Sequence, residues 1–328
     1  FGTTQQPLQN KRTQQHSTMV ALITTCQILL CLSALPLPAV LAIDSGLTSH
    51  FRLWLSNNGF NAAALARDDL AAAASGGSFG GRRAATDRVT RDPAIFVHGN
   101  SDRALGGEMG GWTKAVAYFE SRGYSSAELY ATTWGPADKS KAREQTHSFA
   151  YVSHIRQFIL AVLRYTGARK VDIVSHSMGV TLARKAIKGG LLDGQNLGEP
   201  LTSRVDTFVG MAGGNYGLTN CFLAPLLKTC NSRDGFYPGV FNPLLQQVTG
   251  RSRFLNDMLQ KPGFEGAHRY AIWSVDDELL TLGCIVYTTV TCRFPGMTAE
   301  KRLTGVKHLE VKNAYNVYYR MVTDHVVP

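Results

Sequence analysis

The chain has 328 residues, room for one large domain or two small ones. Its 44% apolar and 18% charged residues are ordinary globular proportions and exclude a collagen-like or wholly disordered chain. Lys and Arg outnumber Asp and Glu, 34 to 24, yet no dense basic block is interleaved with aromatics, so the excess reads as a scattered basic surface and not as a nucleic-acid footprint.

Residues 1–18 are polar, lack hydrophobic periodicity and precede the first Met, Met19; they are expected to be a non-native or untranslated-region-derived leader. Residues 19–42 (MVALITTCQILLCLSALPLPAVLA) carry no charge. Their apolar stretch gives way to small residues ending Val40-x-Ala42, which reads as a secretory signal peptide cleaved after Ala42. Pro36 and Pro38 argue against a membrane anchor. The mature chain is therefore expected to be extracellular.

Cleavage removes Lys11 and Arg12 and no acid, lowering the net charge of +10 by two. A secreted chain of that charge is drawn to anionic surfaces, and peripheral contact with lipid interfaces is expected. Four cysteines remain: Cys221, Cys230, Cys284 and Cys292. An even count in a secreted chain reads as two disulfides, and short loops favour Cys221–Cys230 and Cys284–Cys292. The spacings are too wide for a C-x2-4-C zinc site, so no metal is expected. No N-x-[ST] sequon occurs, so N-glycosylation is not expected.

Residues 43–90 read as an N-terminal extension packed on the domain that follows. They hold an amphipathic segment (Phe51, Leu53, Trp54, Leu55), a flexible Gly/Ser loop over 75–81 and the start of a charged linker that runs to Asp92. Beyond Asp92 strand and helix alternate. Residues 94–97 are a short apolar strand; Trp112, Val116 and Phe119 lie at helical spacing; residues 127–134 are strand-like. Phe149, Val152, Ile155, Ile159, Val162 and Leu163 mark one face of a long helix, and residues 170–174 a buried strand. A helix starts at Met178, strands cover 205–211 and 269–275, and Val311, Tyr315, Tyr318 and Val322 mark a final helix. This alternation implies an α/β fold over residues 91–328, a parallel sheet with helices on both faces. Residues 214–268 have no clear period and read as an insertion at the sheet edge.

The sharpest feature is VDIVSHSMG, residues 171–179. An apolar strand runs directly into Ser175-His176-Ser177-Met178-Gly179 and then a helix. That is the context of a nucleophile elbow, G-x-S-x-G, with Ser177 as nucleophile. The turn needs small residues two before and two after the serine; Ser175 and Gly179 satisfy it, although Ser175 departs from the usual Gly. The following helix aims backbone N–H groups at the site and favours developing negative charge. One oxyanion donor is expected from the Met178 N–H. The second is expected from the Asn100 N–H, in the loop after the strand Ile95-Phe96-Val97, where Gly99 permits close approach and His98 fixes the loop.

The nucleophile needs a base, and the base an orienting acid. Three histidines follow Ser177. His268 precedes a strand, at the wrong end for a site at strand carboxyl ends, and His325 lies among the last residues. His308 sits in a loop between a short strand and the final helix and is the expected base. Asp276, Asp277 and Glu278 all lie just past a strand end, and position alone does not separate Asp276 from Asp277.

At these residues the chain resembles the lipase class 2 family. IFVHGNSD, SRGYSSAELYATTWG, GARKVDIVSHSMG, MAGGNYG, YAIWSVDDELL and TGVKHLEVK resemble its blocks in the same order. TSHFRLWL, NNGF, RDDL and SGGSFGG resemble its secreted nematode branch. The resemblance implies an α/β-hydrolase fold without metal or organic cofactor. It selects Asp277 as the acid, with Ser177 as nucleophile and His308 as base. It implies a lipase or esterase acting on acylglycerols or small lipid esters. A phospholipase, thioesterase or acyltransferase would share the triad, and a non-catalytic binding protein would share the fold.

Overall fold

Short runs rich in Val, Ile, Phe and Tyr, bounded by Gly, Pro, Asp and Ser, become the strands of one seven-stranded sheet. These are β1 (Ser78–Phe79), β2 (Ala94–Val97), β3 (Leu129–Thr132), β4 (Val171–His176), β5 (Val205–Met211), β6 (His268–Ser274) and β7 (Ala299–Leu303). The computed structural model describes residues 46–70, 77–280 and 283–328. The segments expected over 1–42, and the first part of the Gly/Ser loop, lie outside the described residues.

The strands stand in the order β1-β3-β2-β4-β5-β6-β7. All neighbours are parallel except β1, which pairs antiparallel with β3. The end of the Gly/Ser loop therefore supplies an edge strand, and the extension contributes to the sheet itself. Inner strands buried on both faces need apolar residues at successive positions, not alternate ones. In β2, Ile95 and Val97 enter one core, and Ala94 and Phe96 the other.

The longer helices among the described residues are α1 (Ser49–Asn57), α2 (Thr113–Ser121), α3 (Phe149–Thr166), α4 (Met178–Lys188), α5 (Arg253–Leu259) and α6 (Tyr315–Thr323). On one face α3 and α4 pack with α1, which inserts Phe51 and Leu55 into the core, while Leu53 of the same segment is exposed. On the other face α2 and α6 pack through Val116, Phe119, Tyr318 and Met321. The ends of α3 follow local chemistry: the Ser148 hydroxyl accepts the Tyr151 N–H, and Gly167, at φ 73°, lets the chain turn away. Among the described residues no helix is long and apolar enough to cross a membrane.

Residues 214–268, expected at the sheet edge, are instead the crossover between β5 and β6, which are neighbours. The segment has no single period because it is a mosaic: a short helix (Thr219–Leu223), a hairpin (Val240–Asn242 with Gln247–Thr249) and α5.

Candidate active site

β4 is buried along its whole length, and the chain leaves it at Ser177 with φ 53° and ψ −127°. That conformation is costly for a residue with a Cβ and persists only where the surroundings enforce it. Two glycines do so. A Cβ on Gly179 would lie 2.2 Å from the His98 carbonyl oxygen, and a Cβ on Gly99 would lie 2.9 Å from Ser177 Cβ. Ser175 is fully buried, and its Oγ donates to Val209 O at 3.0 Å. The elbow and the loop after β2 therefore interlock at contact distance.

His308 stands over this elbow. Its Nε2 is 2.9 Å from Ser177 Oγ and its Nδ1 is 2.7 Å from Asp277 Oδ2. A carboxylate only accepts, so Nδ1 carries the proton and Nε2 faces the hydroxyl as an acceptor. Asp277 is buried, and its Oδ1 accepts the N–H groups of Leu279 (3.0 Å) and Leu280 (2.8 Å). The disulfide Cys284–Cys292 packs against it, with Cys284 Sγ 3.8 Å from Asp277 Oδ2.

The neighbouring acids are exposed and do something else. Asp276 Oδ2 accepts the Gly305 N–H at 2.6 Å, and Glu278 Oε2 accepts the His308 N–H at 3.0 Å. Three consecutive carboxylates thus hold the side chain and the backbone of one loop.

Two further histidines support the constellation. His98 is fully buried and stacks on Trp134, ring planes 2° apart. Its Nε2 accepts the Trp134 N–H at 3.0 Å, and its Nδ1–H donates to Gly99 O at 2.7 Å. Burial lowers its pKa to about 4, so the ring is neutral and fixed in one tautomer. His176 is pushed well below the usual imidazole range, by burial first and then by His308 beside it. Its Nε2–H donates to His308 O at 2.9 Å, and its buried Nδ1 has no hydrogen-bond partner among the described residues.

Asn100 and Met178 line the cavity beside Ser177. Met178 is the first residue of α4, so its N–H has no acceptor within the helix. The Asn100 side chain is occupied, Nδ2 donating to Ala142 O and Oδ1 accepting from Ser101 Oγ. Its backbone N–H has no backbone acceptor among the described residues. The cavity, about 420 Å³, is mostly apolar, walled by Leu218, Phe236, Leu280 and Leu309, with Lys139, Arg143 and Thr229 also lining it. The Cys221–Cys230 disulfide closes a loop at its rim, where Thr229 lines the cavity.

Lys312 was not a sequence candidate. It is buried, and its Nζ reaches Asp102 Oδ2 at 2.5 Å and Met109 O at 3.0 Å, tying the loop after β2 to the segment after His308. A single Lys in a charged stretch carries no signal of a partner that only the fold brings near.

Residues 91–319 match the family model described as lipase (class 2). The chain belongs to the lipase class 2 family. It is thus a lipase/esterase-family α/β hydrolase. Among solved structures this family member is similar to lipase B of Aspergillus fumigatus, at 12% identity over 77% of this chain and 57% of that one, TM-score 0.49. The chain thus spans little more than half the length of that enzyme. It is also similar to Bacillus licheniformis lipase BlEst2 (14% identity, 76% and 98% covered, TM-score 0.48) and to a monoacylglycerol lipase of Paleococcus ferrophilus (12%, 76% and 98%, TM-score 0.45). In this lipase-family site a hydroxyl, an imidazole acceptor and a buried carboxylate form one hydrogen-bonded line. Such a line allows the hydroxyl to surrender its proton as it attacks an electrophilic carbon.

Proposed function

We propose that the protein is an extracellular serine hydrolase of acylglycerols or related lipid esters, acting through Ser177, His308 and Asp277. The observation that carries this reading is the 2.9 Å contact of His308 Nε2 with Ser177 Oγ, on an imidazole whose other nitrogen is held by Asp277. His308 Nε2 takes the hydroxyl proton as Ser177 Oγ bonds to the ester carbonyl carbon. The negative charge on the carbonyl oxygen meets the N–H groups of Asn100 and Met178 and the amino end of α4. Each such donor stabilises the transition state by about 3–4 kcal/mol. Asp277 offsets the charge of the imidazolium. His308 then protonates the departing alcohol, leaving an acyl ester on Ser177. Water gives a proton to His308, attacks that ester and releases the carboxylic acid, and Ser177 regains its proton. This route requires no metal or organic cofactor.

The apolar cavity supports a lipid acyl group as substrate. Exposed apolar side chains support contact with a lipid surface: Phe222, Leu223 and Leu226 in the disulfide loop beside the cavity, and Leu244 and Leu245 in the hairpin, are exposed, while Lys139 and Arg143 line the cavity and Lys228 lies in the disulfide loop. Two disulfides support an oxidising compartment, as the signal-peptide reading of residues 19–42 requires.

Ser177→Ala tests the reading. Hydrolysis of a soluble p-nitrophenyl ester is expected to fall at least ~10⁴-fold with thermal unfolding unchanged; unaltered turnover sinks the assignment. A substrate series then tests the class. A rate that climbs when triglyceride passes from solution to emulsion supports a lipase, and a higher rate on phospholipid vesicles or thioesters moves the protein to another acyl hydrolase class.

A further inference from the structure

We propose that Asp206, His268 and His325 form a zinc site at the amino ends of β5 and β6, away from the strand ends that carry Ser177. His268 and His325 are the two histidines after Ser177 that the triad leaves unused. One carboxylate oxygen of Asp206 and one ring nitrogen of each histidine lie within 4.8 Å of one another. Ligands on one tetrahedral zinc, each ~2.0–2.1 Å from the metal, stand roughly 3.3 Å apart, so the trio needs only a modest closure. Part of that closure is already made, since His325 Nε2 is 2.9 Å from Asp206 Oδ2; the two imidazole rings stack with centroids 3.7 Å apart, so the partly exposed His325 ring must also turn out of the stack for both nitrogens to face one ion.

The surroundings resemble those of a held ligand set. Lys170 Nζ occupies the other carboxylate oxygen, Asp206 Oδ1, at 2.7 Å and leaves Oδ2 toward the histidines. Ligating carboxylates are commonly anchored by such an outer hydrogen bond. Tyr270 Oη donates to His325 O at 2.8 Å, and His325 adopts φ 55°, a left-handed turn just after α6 that accompanies its approach to the strand ends. Two imidazoles and a single carboxylate suit zinc; calcium takes six to eight oxygens and finds only one carboxylate here. A water completes the fourth position. No spacing motif marks the site, because its ligands come from two strand starts and the tail after α6. Zinc here would tie the last residues of the chain to the sheet.

The test is a titration of chelator-stripped protein with zinc sulfate, followed by metal analysis after desalting and by thermal unfolding. The wild type is expected to retain one zinc and unfold at a higher temperature with it, and calcium at the same concentration to do nothing. His268→Ala and His325→Ala are each expected to weaken zinc binding by about tenfold or more while keeping the circular dichroism of the wild type. His325 is partly exposed, so its variant keeps the test decisive if His268→Ala does not fold. Failure of the wild type to retain zinc, equal stabilisation by calcium, or unchanged zinc affinity in His325→Ala would each overturn the proposal and leave a hydrogen-bonded cluster alone.

Discussion

The two walls of the cavity are built on different principles. The polar wall comes from four short segments at strand carboxyl ends: 98–102, the elbow, 276–280 and 305–312. There the groups are over-determined. Asp277 accepts two backbone N–H groups besides His308, and the His308 backbone is held by Glu278 and His176. Gly99 and Gly179 leave no space for a side chain. The apolar wall comes mainly from the long crossover 214–268, with Leu280 and Leu309 added from the segments that carry the polar groups. It is held by a disulfide loop and by ring contacts such as Phe241 on Tyr287, and it leaves Leu226 97% and Leu244 92% exposed. Bond-making depends on tenths of an ångström and needs the first kind of wall. Gripping a run of methylenes is non-directional, and the second kind suffices.

The largest effect that separates the walls lies in the acid loop. Asp277→Asn is expected to cut kcat/KM for a soluble ester on the order of 10⁴-fold, because the amide no longer fixes the His308 tautomer. Asp276→Asn removes only a clamp on Gly305 and is expected to cost less than about tenfold. Steady-state kinetics on both variants decides the matter, and the reverse ranking would move the acid by one residue.

A smaller effect concerns the seam between the walls. His147 Nδ1 meets Asp234 O of the crossover at 2.7 Å, and its Nε2 meets Thr181 Oγ1, in the first turn of α4, at 2.7 Å. Its ring stacks on Phe254 of α5. Burial lowers its pKa from 6.5 to about 4. Between those values the unfolded chain binds a proton that the folded site refuses, so stability is complete above pH 6.5 and is lost as pH falls toward 4. The loss is up to about 3 kcal/mol at this site. Thermal unfolding at pH 7 and pH 4.5 measures it. His147→Gln is expected to be less stable at pH 7 and to show a flatter pH response; an undiminished slope would place the proton uptake elsewhere.

The polar wall was largely legible in the sequence because local rules govern it. An apolar strand running into S-x-S-x-G demands one backbone turn, and the order of Ser, acid and His follows the strand order. Choosing among Asp276, Asp277 and Glu278 was not a local matter. In the structure burial separates them, since only Asp277 is turned inward. The resemblance to the lipase class 2 family points to the same residue. Lys312 with Asp102, the β1 edge strand inside a Gly/Ser stretch, and the crossover were illegible for a shared reason. Each depends on a partner distant in the chain, and none leaves a period or a spacing behind.

The smallest effect tests the apolar wall by itself. Leu226 and Leu244 touch little of the folded protein, so changing both to Ser is expected to leave stability within about 0.5 kcal/mol and soluble-ester turnover within about twofold. If these side chains enter a lipid surface, each removes roughly 1.5–3 kcal/mol of burial there. The rate on emulsified triglyceride at limiting interface is then expected to drop about tenfold or more, and added salt is expected to weaken the remaining contact through Lys139, Arg143 and Lys228. A double variant that matches the wild type on emulsions would show that these two leucines stay in water during turnover. The apolar wall would then act through the cavity side chains Leu218, Phe236, Leu280 and Leu309, and the two walls would differ in rigidity but not in partner.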